Sequence, residues 1–310
     1  MGFDEGPGTQ DVGGHLSQAD TYLLQFYKRR AKRILPAFYG VLLFTILASM
    51  FLMSPHEARV FGITAVAATL SASNLLFWYH TNYFNPDINH YPLLNTWSLG
   101  VEEQFYAVVP LLMVLIARIR RLLLPAILIV CVLSFLLAWF ELRTYPNNVF
   151  YLLPERAWEL GVGVALALIE LNRKSFVLPA PLTHLLGVVG AGMILAPMFL
   201  LQSQTVFPGS SVLASVVLGT ALLIAVPASF INRWLLSLPP LVFIGKISYS
   251  LYLWHWPLLA FLHLAAGNIL PPVAVLLAVA ASLAAAIISY YLIEQPFRRS
   301  TRPPGPLLIR

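Results

Sequence analysis

Nine apolar runs constrain the fold of this chain more than any other feature of its sequence. They lie at roughly 35–53, 59–79, 99–117, 122–140, 149–171, 184–201, 211–230, 243–265 and 271–293. Each is close to the ~20 residues that a helix needs to cross a bilayer. Only 10% of the 310 residues are charged and 59% are hydrophobic, whereas about 25% of a soluble domain is charged. We therefore expect an all-α fold, a polytopic transmembrane helical bundle with about nine spans.

The domain organisation follows from the distribution of charge. Residues 1–20 are polar and lack the basic-then-apolar pattern of a signal peptide, so we expect an irregular amino-terminal segment there. Residues 21–299 form one membrane domain, and residues 300–310 form a cytoplasmic tail. The net charge of +6 comes from short basic clusters between apolar runs, which is typical of topology signals. We expect no nucleic-acid partner.

The basic clusters also predict a topology. From Arg118 onward they fall at every second loop, which favours a cytoplasmic carboxyl terminus. Placing the cluster at 28–33 on the same side requires an even number of crossings between residues 58 and 98, where only one clear apolar run lies. The polar stretch 81–95 is therefore predicted to be a re-entrant segment shielded by protein.

Two adjacent carboxylates, Glu102 and Glu103, stand near the start of an apolar run. On a helix, Ser98, Glu102 and Tyr106 share one face, and Glu103 lies about 100° round. A carboxylate that faces a closed cavity within a membrane is suited to proton transfer, so Glu102 is a candidate acid or base. The alternative is that both acids lie at the water interface, or that one pairs with Arg156.

Two further polar groups stand out in the carboxyl-terminal two thirds of the chain. Arg156 and Glu159 are three residues apart and could form a site together or simply pair with each other. Ser248, Tyr252 and His255 share one helical face. His255 could shuttle a proton or hold a neighbouring carbonyl.

The cluster at 28–33 contains two arginines, Arg30 and Arg33, at a spacing of three residues. They could grip a phosphorylated ligand, or they could serve only as a topology signal. The other histidines show no metal-ligand spacing, so we expect no metal centre. The single cysteine, Cys131, lies in an apolar run and is expected to be a small buried hydrophobe.

Five segments together resemble acyltransferase family 3, the bacterial integral-membrane O-acyltransferases. The matching residues are 26–36, 96–106 with Pro110, Arg156 with Glu159 and Gly161, 243–258, and 290–298. The resemblance implies an acyl-CoA donor, such as acetyl-CoA, on the cytoplasmic side. It also implies that Arg30 and Arg33 match an arginine pair that contacts the donor, and that an acceptor hydroxyl lies on the far side.

The chain departs from the family pattern in two places. Family members usually begin with a span that carries an arginine and a histidine, followed by a second span before the basic cluster. His15 lies in a Gly/Asp-rich segment and is not assigned that role. Asn95 stands where the family commonly has histidine, and an amide cannot act as a base. The resemblance thus implies an amino-terminally shortened member.

Three hypotheses for the function follow. The first is an O-acyltransferase of the bacterial inner membrane, which moves an acetyl or other acyl group from acyl-CoA to a hydroxyl of a cell-envelope glycan, glycolipid or secondary metabolite. Glu102 would be its acid or base, Arg156 and Glu159 would place the acceptor, and His255 would assist. The second is a transporter or flippase-like carrier of a lipid-linked or acylated substrate. The third is an inactive remnant of such an enzyme.

Overall fold

The computed structural model describes residues 12–80, 90–116, 119–172, 178–200, 210–267 and 270–299. Within them the chain is helical and contains no strand, which confirms the expected all-α class for this part of the chain. The helices are α1 (Val12–Leu52), α2 (Pro55–Thr69), α3 (Ser73–His80), α4 (Thr96–Ile116), α5 (Arg120–Glu141), α6 (Pro146–Tyr151), α7 (Leu153–Asn172), α8 (Ala180–Leu200), α9 (Ser210–Ala225), α10 (Pro239–Ala266), α11 (Pro272–Ser289) and α12 (Gln295–Arg299), with π-helical turns at Ile231–Leu236 and Tyr290–Glu294.

Five helical stretches are long and apolar enough to cross a bilayer. They are Leu23–Leu52, Thr96–Ile116, Arg121–Glu141, Ala180–Phe199 and Pro272–Arg299. The remaining predicted spans do not meet both criteria as single helices, and α9 is a shorter apolar helix. A multi-pass membrane protein is therefore supported, whereas the count of nine spans is not confirmed.

Helix α1 differs from the sequence-based expectation. The sequence predicted an irregular segment at residues 1–20 and an apolar run from near residue 35. In the structure the helix is continuous from Val12 for 41 residues, about 60 Å at 1.5 Å per residue. Pro36 lies inside it. Membrane helices tolerate an internal proline when neighbouring groups satisfy the backbone. Two residues before Pro36, the Ile34 carbonyl accepts a hydrogen bond from the Tyr249 hydroxyl at 2.9 Å, which ties this part of α1 to α10. The basic cluster at 28–33 therefore lies on a helix and not on a loop.

The apolar run at 59–79 is not one span, because it is divided into α2 and α3. The division lies at Ser71, whose φ of 55° is in the left-handed region. That conformation is unfavourable for a residue with a side chain. The Ser71 carbonyl accepts a hydrogen bond from Gln104 Nε2 at 3.2 Å, so a contact with α4 holds the break. The run at 149–171 is likewise divided, at Leu152 between α6 and α7.

Buried polar contacts fix α3 against the first turns of α4. Asn74 is fully buried, accepts from Gln104 Nε2 at 2.9 Å and donates to the Tyr151 carbonyl at 3.1 Å. A Cβ atom on Gly100 would lie 2.7 Å from the Asn74 amide oxygen, so only glycine allows this approach. The position of the helix that carries Glu102 follows from these contacts.

Helices α1 and α10 run in the same direction. The Tyr249 hydroxyl contacts the Ile34 carbonyl, and further along both helices Phe44 packs against Trp254 and Phe261, with ring centroids 4.9 and 6.5 Å apart. The core between them is aromatic and aliphatic. The two helices therefore present corresponding ends to the same side of the bundle.

Helix α4 runs opposite to α1. The Tyr27 hydroxyl donates to the carbonyls of Tyr106 and Ala107, at 3.2 Å each. Ile34, two helical turns further along α1, shares a core cluster with Leu99. The antiparallel arrangement brings the 28–33 cluster beside the middle of α4.

Several basic residues gather toward one end of the bundle. Lys246 of α10 is close to the level of the 28–33 cluster, because the neighbouring Tyr249 contacts Ile34. Ser250 donates to Glu294 at 3.1 Å, so Arg298 lies toward the same end. The predicted clusters at Arg118, Arg173, Lys174 and Arg302 lie outside the described residues.

The predicted re-entrant segment is described only in its last part. Residues 81–89 lie outside the described residues, and 90–95 form an irregular, mostly buried turn before α4. Within this turn the Tyr91 carbonyl accepts a hydrogen bond from Trp256 Nε1 at 2.9 Å. The re-entrant path remains a prediction.

Candidate active site

The Arg30 guanidinium of α1 connects two of the residues predicted to share a face of α4. Its central carbon lies 3.2 Å from the ring centroid of Tyr106, a cation–π geometry. One of its nitrogens lies 3.8 Å from Glu102 Oε2. The ion pair that Glu102 forms is with Arg30 and not with Arg156, the partner considered in the sequence analysis.

Glu102 combines a membrane-spanning helix with an accessible carboxylate. Its side chain is 43% exposed, against 20% for Arg30. A carboxylate within a membrane helix faces protein or a water-filled space, so the exposed part of Glu102 marks an opening beside α1. The neighbouring Glu103 has one buried carboxylate oxygen, Oε1, without a hydrogen-bond partner among the described residues.

Arg30 and Arg33 are not equivalent in the structure. Arg30 is partly buried against α4, whereas Arg33 is exposed. The charge of Arg33 still acts on the Glu102 carboxylate, together with those of Arg30 and Arg156. Arg33 is therefore accessible from outside the protein, whereas Arg30 contacts Glu102 and Tyr106.

Arg156 and Glu159 pair with each other across one turn of α7, as the simpler of the two interpretations predicted. Their charged atoms are 2.7 Å apart, and the side chains are 16% and 17% exposed. Arg156 also donates to the Phe150 carbonyl at 3.2 Å and lies 4.9 Å from the ring of Trp97. Trp97 is the second residue of α4. Its contact with Arg156 therefore places the ion pair against the helix that carries Glu102.

A hydrogen-bond connection between α4 and α10 was not predicted. The Ser98 and Tyr252 hydroxyls are 2.6 Å apart, and the Tyr252 hydroxyl also donates to the Asn95 carbonyl. Asn95 Nδ2 in turn donates to the Tyr252 carbonyl at 2.7 Å. Asn95 thus has a clear structural role, joining the turn before α4 to α10. The helical spacing identified Ser98 and Tyr252 separately, but no periodic pattern within one helix can pair residues on two helices.

His255 follows Tyr252 on α10. The two rings have centroids 5.7 Å apart, and His255 Nδ1 lies 3.2 Å from the Leu251 carbonyl. This contact matches the simpler prediction that the imidazole holds a neighbouring carbonyl. Ser248, the third residue of the predicted face, donates to the Gly245 carbonyl instead and does not join the group.

Glu294 is a buried acid whose role sequence reasoning missed. Its side chain lies in the π-helical turn after α11 and is only 2% exposed. It accepts from the Ser250 hydroxyl at 3.1 Å and pairs with Arg298 at 3.0 Å. π-helical turns occur frequently at functional sites. The family-like stretch 290–298 marked the segment, but only the structure identifies its partner on α10.

Comparison with known proteins gives one family. The model for acyltransferase family 3, described as an acyltransferase domain, matches residues 13–291. The chain is 31% identical to the peptidoglycan O-acetyltransferase OatA of Listeria monocytogenes, covering 90% of this chain and 47% of that protein. It is also 31% identical to the O-acetyltransferase OatA of Staphylococcus aureus (89% and 48%) and to the putative peptidoglycan O-acetyltransferase YrhL of Bacillus subtilis (88% and 45%).

Two facts bound what these similarities convey. The chain spans about half the length of the curated relatives it matches. No solved structure matches it. The family match covers most of the chain and contains every one of the candidate site residues between Arg30 and His255. The chain belongs to acyltransferase family 3.

Proposed function

We propose that this chain is a membrane O-acyltransferase that moves an acetyl group from acetyl-CoA to a hydroxyl of a cell-envelope glycan. The observation that carries the proposal is the Glu102 carboxylate, half-exposed in a helix of membrane-spanning composition and paired with Arg30. Family membership and the O-acetyltransferase activity for which the relatives are named support the reaction class. No comparison supports the transporter alternative.

The orientation in the membrane follows from charge. The 28–33 cluster, Lys246 and Arg298 gather toward one end of the bundle, and Lys and Arg residues favour the cytoplasm. That end, with the carboxyl terminus, therefore faces the cytoplasm, and the protein resides in the bacterial inner membrane. The donor approaches from this side, where its phosphates meet Arg33 and Arg30.

The proposed reaction is attack of the acceptor hydroxyl on the thioester of the donor. The acceptor hydroxyl gives its proton to the Glu102 carboxylate as its oxygen bonds to the thioester carbonyl carbon. Collapse of the tetrahedral intermediate breaks the carbon–sulfur bond, and the leaving CoA sulfur takes up the proton that Glu102 accepted, which returns Glu102 to its carboxylate form. Hydrogen-bond donors near the site stabilise the negatively charged oxygen of the tetrahedral intermediate.

Arg156, Glu159 and His255 have supporting roles in this proposal. Arg156 and Glu159 position the acceptor, because their pair lies on the Trp97 ring at the start of α4. His255 assists through Tyr252, whose hydroxyl contacts Ser98 one turn before Glu102.

A substitution at Glu102 tests the proposal. Glu102→Gln keeps the shape of the side chain but removes the base, and general acid–base catalysis contributes typically about 10²–10⁴-fold. We expect transfer of labelled acetyl from acetyl-CoA to peptidoglycan glycan strands to fall by at least roughly a hundredfold. The matched control is Glu170→Gln, at an exposed glutamate of α7, which should retain full transfer. Undiminished transfer by Glu102→Gln would contradict the assignment of Glu102 as the base.

A further inference from the structure

A cavity of about 340 Å³ opens where α1 and α10 end and α2 begins. His56, His90 and His263 line it together with Glu57. Because α1 and α10 run in parallel, it lies at the end of both helices opposite to the 28–33 cluster. It is thus distinct from the contact between α1 and α4 described above.

The lining combines a few polar groups with apolar walls. Phe61, Tyr91 and Pro92 supply apolar and aromatic surface. The planes of the His90 and His263 rings are nearly perpendicular, at 80°, and their centroids are 6.4 Å apart. Small-molecule sites are likewise mostly apolar with a few polar groups, and their volumes start at about 300 Å³.

Among the residues that the structure describes, the lining contains one carboxylate, that of Glu57. Glu57 Oε2 accepts a hydrogen bond from the Ser54 backbone N–H at 2.8 Å. This bond, with the Ser54 hydroxyl, lowers the pKa of Glu57, so the carboxylate is ionised at neutral pH. A phosphate or carboxylate ligand would meet a like charge, which is unfavourable. The ring nitrogens of the three histidines can take part in hydrogen bonds, which matches the hydroxyl and amide groups of a neutral sugar.

The cavity is connected to the candidate active site through aromatic residues. Tyr91 belongs both to its lining and to a cluster with Trp97 and Trp256. Trp256 donates to the Tyr91 carbonyl at 2.9 Å, and Trp97 carries Arg156 on its ring. A chain of aromatic contacts therefore runs from the cavity lining to Arg156, which is assigned to the acceptor.

We propose that this cavity is a subsite for a neutral sugar unit of the acceptor glycan. It holds one unit by hydrogen bonds to the histidines and by packing on the aromatic lining, while another unit presents its hydroxyl near Arg156. This inference rests on the proposed function for its acceptor class. The binding it predicts can be measured without any acyl transfer.

The test uses the whole 310-residue chain in lipid nanodiscs and a neutral β-1,4-linked N-acetylglucosamine tetrasaccharide, without acyl donor. Titration should show saturable binding. His56→Ala and His263→Ala should each weaken it about fivefold to tenfold, the effect of losing one hydrogen bond. The matched control His80→Ala changes an exposed histidine at the end of α3 and should bind normally. Sodium phosphate at equal concentration should not compete.

Binding that is unchanged in His56→Ala and His263→Ala, or displaced by phosphate, would overturn the proposal. His56 is exposed, so His56→Ala keeps the test decisive if His263→Ala fails to fold. Binding with the expected variant pattern but no acetyl transfer would leave the sugar site standing and remove the proposed function. If the wild type and both variants transfer acetyl with the same KM for the acceptor, the proposed function stands and the sugar site is excluded.

Discussion

At the scale of residues, the site depends on three arginines in different surroundings. Arg30 is stacked on Tyr106 and paired with Glu102, Arg156 is paired with Glu159 over Trp97, and Arg33 is exposed. Planar guanidinium groups suit both ring stacking and carboxylate pairing. Two of the three are thus committed to holding the site together, and Arg33 is the one accessible to a phosphorylated ligand.

The pair of Arg156 and Glu159 gives a prediction at this scale. Arg156→Ala should lower the free energy of unfolding by about 1–3 kcal/mol, because it leaves a mostly buried carboxylate without its charged partner. In a double-mutant cycle with Glu159→Gln the losses should be non-additive by roughly 0.5–3 kcal/mol. Unfolding in mixed micelles with increasing SDS measures both. Additive losses would contradict the pairing.

The residue scale also shows which contacts the sequence alone could not predict. Spacing alone identified Glu102, Arg156 and His255 as polar residues at membrane depth. It could not pair Glu102 with Arg30, because the two are 72 residues apart in number and the contact depends on how α1 and α4 pack. Tertiary packing, which no local pattern contains, decides such partners.

At the scale of elements, the breaks in the apolar runs matter as much as the runs. The division between α2 and α3 at Ser71 is held by Gln104, and it produces a short helix that packs on the first turns of α4. Hydropathy predicted one span at 59–79 and missed the division, because a left-handed serine leaves no signal in hydropathy. Likewise, the apolar run from residue 35 does not mark where α1 begins, since the helix starts at Val12 and continues through Pro36.

The packing of α3 on α4 is tested by two glycines. Gly100→Ala would place a Cβ 2.7 Å from the buried Asn74 amide and should cost about 1–3 kcal/mol of stability. Gly163→Ala on α7 meets nothing within 4 Å and should be neutral or stabilising by up to about 1 kcal/mol. The same unfolding assay compares them. Equal effects of the two substitutions would show that the close approach of α3 to α4 is not present.

At the scale of the whole molecule, the direction of the helices organises function. The parallel α1 and α10 and the antiparallel α4 bring most of the basic groups toward one end and the histidine-lined cavity to the other. An enzyme that takes a donor from one side of a membrane and an acceptor from the other needs such polarity. The all-α class followed directly from composition, whereas the number of spans did not, because several apolar runs are short, interrupted or rich in polar residues.

Cysteine labelling tests this polarity. In a Cys131→Ser background, which removes the native buried thiol, Arg29→Cys and Arg299→Cys should react with an impermeant maleimide only from the cytoplasmic side of vesicles. His56→Cys should react only from the opposite side. All three original residues are exposed. Labelling of residues 29 and 56 from the same side would contradict the proposed orientation.

Transfer across a sealed membrane tests the central claim most directly. Proteoliposomes that contain the chain would hold labelled acetyl-CoA on the side of the 28–33 cluster and a peptidoglycan glycan acceptor on the other side. We predict ester-linked label on the glycan, released by mild base, and a loss of that label in Glu102→Gln. Movement of glycan or donor across the membrane without ester formation, or equal labelling by the wild type and Glu102→Gln, would contradict the account.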